Sequence, residues 1–208
     1  MNDESFKRVL SSIILFPVVI SIIIYSSILL NLLLIICFCL VVYEWHMLSK
    51  TKKYYFLGIF FLILSFYTIY KFKDLNNNYI NFLFILLICI STDIGGYIFG
   101  KIFKGPKLTR ISPKKTYSGA VGSFFLTCLV VSIIFFIFTN NFNFLILFLS
   151  IMVSLGCQVG DLFFSFLKRT AKIKDSGNFL PGHGGVLDRI DGMLIGIPLG
   201  LITIILIY

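Results

Sequence analysis

Residues 13–40 read IILFPVVISIIIYSSILLNLLLIICFCL, and no charged side chain interrupts them. A helix needs about 20 apolar residues to cross the hydrocarbon core of a bilayer, so this run is long enough to span. Tyr25-Ser26-Ser27 is the only cluster of consecutive polar residues in it, which predicts two spans joined as a tight helical hairpin. Outward from this stretch the chain keeps the same character. Of its 208 residues, 58% are hydrophobic and 13% are charged. A soluble domain carries about 45–50% apolar and about 25% charged residues. The solvent for most of this chain is therefore lipid.

Seven apolar segments are expected, near 9–26, 28–48, 54–71, 79–100, 118–138, 142–164 and 190–208. Asn76-Asn77-Asn78 and Asn140-Asn141 punctuate them. The fold class that follows is all-α: a polytopic transmembrane helical bundle of about seven spans. It forms one integral-membrane domain, 1–208, with amino-terminal spans over 1–90 and a chemistry-bearing half over 91–208. The mixed charges at Asp3, Glu4, Lys7 and Arg8, followed by a long apolar stretch, read as an uncleaved first span.

Net charge is +9, and its distribution argues against nucleic acid as the reason. With the amino terminus in the cytoplasm, all of the 18 Lys and Arg residues except Lys71 and Lys73 fall on the inner side. Cytoplasmic loops carry such an excess. The two longest polar stretches, 101–117 and 165–191, then share the cytosolic face. The five cysteines (Cys37, Cys39, Cys89, Cys128, Cys157) all lie in apolar runs without zinc-ligand spacing, and are expected to be small buried packing residues.

The richest polar stretch is residues 165–191, SFLKRTAKIKDSGNFLPGHGGVLDRID. Just before it, Gln158 and Asp161 continue to Ser165, Lys168 and Lys172 at steps of three and four, one face of a helix. An acid and two amines at a membrane boundary are costly without partners or ligands, although snorkelling lysines beside a structural Asp would give the same pattern. Asp188 and Asp191, three apart, share a side if their segment is helical. Two close carboxylates repel unless a cation sits between them, and oxygen donors of this kind suit magnesium. An ion-paired cluster around Arg189 is the plainer alternative. Gly182, Gly184 and Gly185 flank His183 in a proline-led turn. Such glycines allow backbone N–H groups to approach a phosphate, or merely allow a turn, and His183 alone does not read as a general base.

A second region holds Asp93, inside or at the edge of the fourth segment, and the loop through Ser112-Pro113-Lys114-Lys115-Thr116. Intramembrane acids are functional candidates. Two ammonium groups and a hydroxyl suit a triphosphate, while a positive-inside anchor is the alternative. Gly96 with Gly100, and Gly192 with Gly196 and Gly200, place small residues four apart, a pattern that lets membrane helices approach closely.

Taken together, these residues resemble the phosphatidate cytidylyltransferase family. Its signature runs Ser, two residues, Lys-Arg, four residues, Lys-Asp, a small turn, His-Gly-Gly and Asp-Arg-x-Asp, and it is matched without a gap from Ser165 to Asp191. Asp93 with Gly96-Tyr97 and residues 111–116 are similar to further family segments. Tyr43-Glu44-Trp45 and Gly160-Asp161 are weaker echoes. One departure is Tyr117-Ser118-Gly119, where members often carry Trp-Glu-Gly.

The resemblance implies that a phosphatidate phosphate oxygen attacks the α-phosphorus of CTP and diphosphate leaves. It implies a metal centre on Asp161, Asp188 and Asp191, holding Mg2+ with or without a second metal ion. Lys168, Arg169, Lys174 and Arg189 would neutralise the phosphates. Ser165, Asp175, His183, Gly184, Gly185, Lys114, Lys115, Thr116 and Asp93 would line the substrates. The partners implied are CTP, phosphatidate in the bilayer and a second copy of the chain, with no nucleic acid. The location implied is the cytoplasmic membrane, with the active site facing the cytosol. A CTP-dependent polyprenol or phytol kinase, which would transfer the γ-phosphoryl group, is the alternative. A transporter is disfavoured because the polar residues cluster in one half of the chain and at one face of the membrane.

Overall fold

The computed structural model describes residues 17–74, 79–179 and 184–207. Residues 17–25 are helical (α1), the described part of the segment expected at 9–26. There follow α2 (Ser27–Ser49), α3 (Tyr55–Asp74), α4 (Tyr79–Phe103), α5 (Tyr117–Thr139), α6 (Phe144–Thr170), α7 (Leu187–Ile190) and α8 (Met193–Ile207). Six stretches of helix among the described residues are long and apolar enough to cross a membrane, the last running from Leu187 through α7 and α8. The chain is thus all-α and polytopic. The helix breaks within the expected Tyr25–Ser27 stretch, where Ser26 leaves helical geometry and its Oγ accepts the Leu29 N–H, capping α2.

The chain divides into two compact units, each assembled from two separated stretches. One is Met1–Tyr79 with Lys168–Ile190, and the other is Ile80–Leu167 with Asp191–Tyr208. Most of the signature segment therefore belongs with the amino-terminal helices, and the division expected at residue 90 falls inside α4.

Two readings need correction. Residues 165–170 are the last turns of α6, as the spacing from Gln158 predicts, but the helix stops at Thr170. Lys172 does not continue the polar face of α6: it takes a left-handed conformation (φ 60°). Its N–H reaches the Arg169 carbonyl and the Ile173 N–H reaches the Lys168 carbonyl. This pair of bonds closes a helix carboxy terminus, a position usually held by glycine. The cysteines also differ from expectation. Cys89 and Cys157 are buried with their Sγ atoms 3.5 Å apart, whereas Cys39 is exposed and Cys37 and Cys128 are intermediate.

Within the second unit, glycines form the helix seams, because in lipid close backbone approach and hydrogen bonds replace hydrophobic collapse as the source of cohesion. A Cβ on Gly119 of α5 would lie 2.7 Å from the Gly96 carbonyl oxygen of α4, and one on Gly95 would lie 2.9 Å from Ser123 Cα. The Ser123 hydroxyl donates to the Thr92 carbonyl across this seam at 2.8 Å. On the other side of the unit, a Cβ on Gly156 of α6 would sit 2.7 Å from Gly196 Cα of α8. Gly156→Ala is expected to destabilise the unit by about 1–3 kcal/mol, the usual range for overpacking. The check is a lowered unfolding midpoint in detergent; an unchanged midpoint would mean that the seam parts without penalty.

Candidate active site

In the first unit, α2 and the signature segment meet through the triplet Tyr43-Glu44-Trp45. The Tyr43 ring stands edge-on to Phe179 with centroids 5.7 Å apart. Trp45 lies against Gly58, where a side chain would strike the indole, and its Nε1–H donates to the Tyr55 carbonyl. Glu44 is only 1% exposed. Its Oε2 accepts from Ser176 Oγ at 2.7 Å and Leu187 N at 2.8 Å, and its Oε1 accepts from Val186 N at 2.8 Å. Val186 and Leu187 lead into α7, so a carboxylate from a distant helix takes N–H groups that this short helix cannot satisfy internally.

Asp188 performs the matching task from within the segment. Its Oδ2 accepts Ser176 N at 2.8 Å and Gly185 N at 3.0 Å, while Oδ1 accepts Lys168 Nζ at 2.7 Å. The side chains of Lys168 and Asp188 are 9% and 7% exposed, a buried ion pair. Two carboxylates thus gather one hydroxyl and four backbone N–H groups from residues 176–187. The glycines permit the fit. Gly184 has φ +82°, and a Cβ on Gly185 would collide with Ser176 Oγ.

Around this core the remaining cationic groups are outward. Arg169 is exposed and donates to the Ile173 carbonyl at 2.9 Å. Lys174, Asp175 and Arg189 are exposed as well. His183, with Leu180, Pro181 and Gly182, lies outside the described residues.

The second unit holds the other candidates. Between α4 and α5 the chain doubles back, with Lys107 bridged to Thr116 and Leu108 N donating to the Lys115 carbonyl. This narrow loop leaves Lys114 exposed and brings the Lys115 ammonium onto Asp161 Oδ2 of α6. The side chains of that pair are 24% and 40% exposed. Ser165 Oγ lies 3.5 Å from Asp161 Oδ1, one turn on. The expected helical stripe therefore holds from Gln158 to Lys168, and Gln158 Nε2 donates to the Ala120 carbonyl. Thr116, expected at the triphosphate, is the N-cap of α5: its Oγ1 accepts the Gly119 N–H and contacts Ser118 Oγ at 3.0 Å. Asp93 is exposed on α4.

Asp191 follows α7 in a turn, and its Oδ1 accepts the next residue's N–H. Its backbone is seated on Gly160, where a Cβ would lie 2.7 Å from the Asp191 carbonyl oxygen. Asp161 is the next residue in the chain, so this unit brings two aspartates to one neighbourhood. Among the described residues no group of three or more His, Cys, Asp or Glu side chains forms a ready metal cluster.

Reasoning from sequence missed the weight of Glu44. The signal was present: it is the only acid in α2, within a largely apolar helix. An intramembrane carboxylate asks for partners, but nothing local names them, because they lie 132 to 143 residues away.

A profile of the Cytidylyltransferase family matches residues 54–207. A phosphatidate cytidylyltransferase of Rickettsia bellii is 36% identical over 95% of this chain and 90% of its own length. One of Rickettsia felis is 35% identical over 95% of this chain and 91% of its own length. One of Staphylococcus saprophyticus is 40% identical over 69% of this chain and 55% of its own length. A profile covering most of the chain and relatives matching nearly end to end agree with the signature found at 165–191, and the chain belongs to the cytidylyltransferase family.

Proposed function

We propose that this chain is a phosphatidate cytidylyltransferase, joining the cytidylyl group of CTP to phosphatidate and releasing diphosphate. The observation that carries the reading is the near-full-length likeness to relatives bearing that name, supported by a cation-rich signature segment folded around buried carboxylates. The chemistry suits the residues at hand. A phosphomonoester has its second pKa near 6, so the attacking phosphate of the lipid is already largely ionised at neutral pH and needs no strong base. The obstacle is the meeting of two polyanions and the charge on the departing diphosphate, which positioned cations relieve.

In this reading Arg169, Lys174, Arg189 and Lys114, all exposed, screen phosphate charge, and Ser165, Asp175, His183 and Asp93 line the approach of substrates. Asp188, whose oxygens already receive Lys168 and two N–H groups, holds the signature segment in shape. Asp161 and Asp191 would hold a divalent ion, taken here to be Mg2+. A hard cation that keeps waters and completes its shell with substrate phosphates fits two carboxylates without a larger protein cage. Such an ion supplies electrostatic stabilisation of the phosphoryl oxygens. The sixteen-to-two bias of basic residues supports a cytosolic site in the cytoplasmic membrane, and a homodimer is the assembly expected from the resemblance.

The test is to incubate purified protein in detergent with radiolabelled phosphatidate, CTP and magnesium, and to resolve the products. CDP-diacylglycerol together with diphosphate, absent when magnesium is chelated, is the expected result. Release of CDP, with a phosphorylated acceptor lipid, would overturn it in favour of a lipid kinase.

A further inference from the structure

We infer that Glu44 is a positioning residue for this reaction, one that presets the segment from Ser176 to Asp188 from outside the region matched by the family profile. The inference rests on the reaction proposed above only for its kinetic arm. Glu44 lies ten residues before the matched region begins at residue 54, yet its carboxylate is the most buried charged group described. Among the described residues no cation makes an ion pair with it; its charge is met by one hydroxyl and two backbone N–H groups. Charge-assisted bonds of this kind are short and geometrically strict.

Three further observations show that the segment is shaped to this one side chain. A Cβ on Gly177 would lie 2.8 Å from Glu44 Oε1, and Gly185 has room for no side chain between Ser176 and Glu44. Ser176 divides its two polar groups between the two carboxylates, Oγ to Glu44 and N–H to Asp188. Asp188 in turn fixes Lys168. Glu44 therefore acts on Lys168 and Asp188 through Ser176 and the start of α7, without touching the substrates.

Glu44→Gln separates this role from simple filling of space. The amide has the same shape, but its NH2 must face the N–H of either Val186 or Leu187, donor against donor. The full-length protein in lipid nanodiscs is compared as wild type, Glu44→Gln and Ser176→Ala. Hydrogen exchange of the peptide carrying residues 184–188 should accelerate about tenfold or more in Glu44→Gln, from the loss of buried hydrogen bonds, with α3 unchanged. With it, kcat should fall about 100-fold, the scale of a small misplacement of reacting groups, while KM for CTP stays within about threefold. Ser176→Ala, which removes a single bond and leaves both backbone N–H donors on the Glu44 carboxylate, should move both readouts in the same direction by less. Equal acceleration across α2 and α3 would make Glu44 a general stabiliser and overturn the inference. So would local loosening with unchanged kcat, or exchange identical to wild type. A wild type that makes no CDP-diacylglycerol, with the exchange pattern as expected, would overturn the proposed reaction and leave the anchoring intact.

Discussion

Asp188→Asn is expected to lose both turnover and stability. The carboxylate is nearly enclosed and carries three donors: the Lys168 ammonium and the N–H groups of Ser176 and Gly185. An asparagine offers one oxygen where two are used, and leaves a buried ammonium without its counter-charge. Breaking a buried pair by removing one partner costs about 3–5 kcal/mol. The segment would loosen and cytidylyl transfer would fall by roughly 1,000-fold, the upper range for losing a preorganised electrostatic group. A double variant, Lys168→Met with Asp188→Leu, sharpens the result. Apolar replacement of a whole buried pair is often close to neutral for stability, but the Ser176 and Gly185 N–H groups lose their acceptor, so the unfolding midpoint should recover only in part while turnover stays lost. If Asp188→Asn alone keeps the wild-type midpoint in a detergent melt, the pair does not hold this segment.

Asp161→Asn should separate the two effects, losing turnover with little change in stability. Its ion pair with Lys115 is substantially open to its surroundings, and exposed pairs contribute about 0.2–1 kcal/mol after screening. A structural loss of that size is hard to see in a melt. If Asp161 holds the divalent ion as proposed, the loss is easy to see: turnover should fall by at least about 100-fold, and the magnesium concentration giving half-maximal activity should rise. Wild-type turnover at ordinary magnesium would remove Asp161 from the metal assignment. A lowered midpoint equal to that of Asp188→Asn would make it a packing residue instead.

The contrast between these two aspartates was not legible in sequence, where both read as members of one cluster. What was legible is whatever repeats at short range. The long helices follow from uninterrupted apolar runs. The polar face of α6 follows from steps of three and four, and the glycine seams follow from four-residue spacing. Lys172 broke the pattern because a left-handed helix cap without glycine leaves no mark in the chain. Thr116 carried two signals at once: a hydroxyl beside two lysines suggests a phosphate ligand, and a threonine just before an apolar run suggests an N-cap. The described hydroxyl serves the cap. Glu44 lay at the limit of what a sequence can reveal, since its need for partners was visible and their identity depended on the fold.

The bond between Glu44 and Ser176 also sets a constraint on how the protein is made. Ser176 is synthesised 132 residues after Glu44. At about 5–20 residues per second, roughly 7–26 s pass between the two. Within that interval α2 reaches the membrane with a carboxylate whose donors do not yet exist. The nascent chain must keep this end of the helix in contact with water, headgroups or the insertion machinery until residues 176–187 emerge.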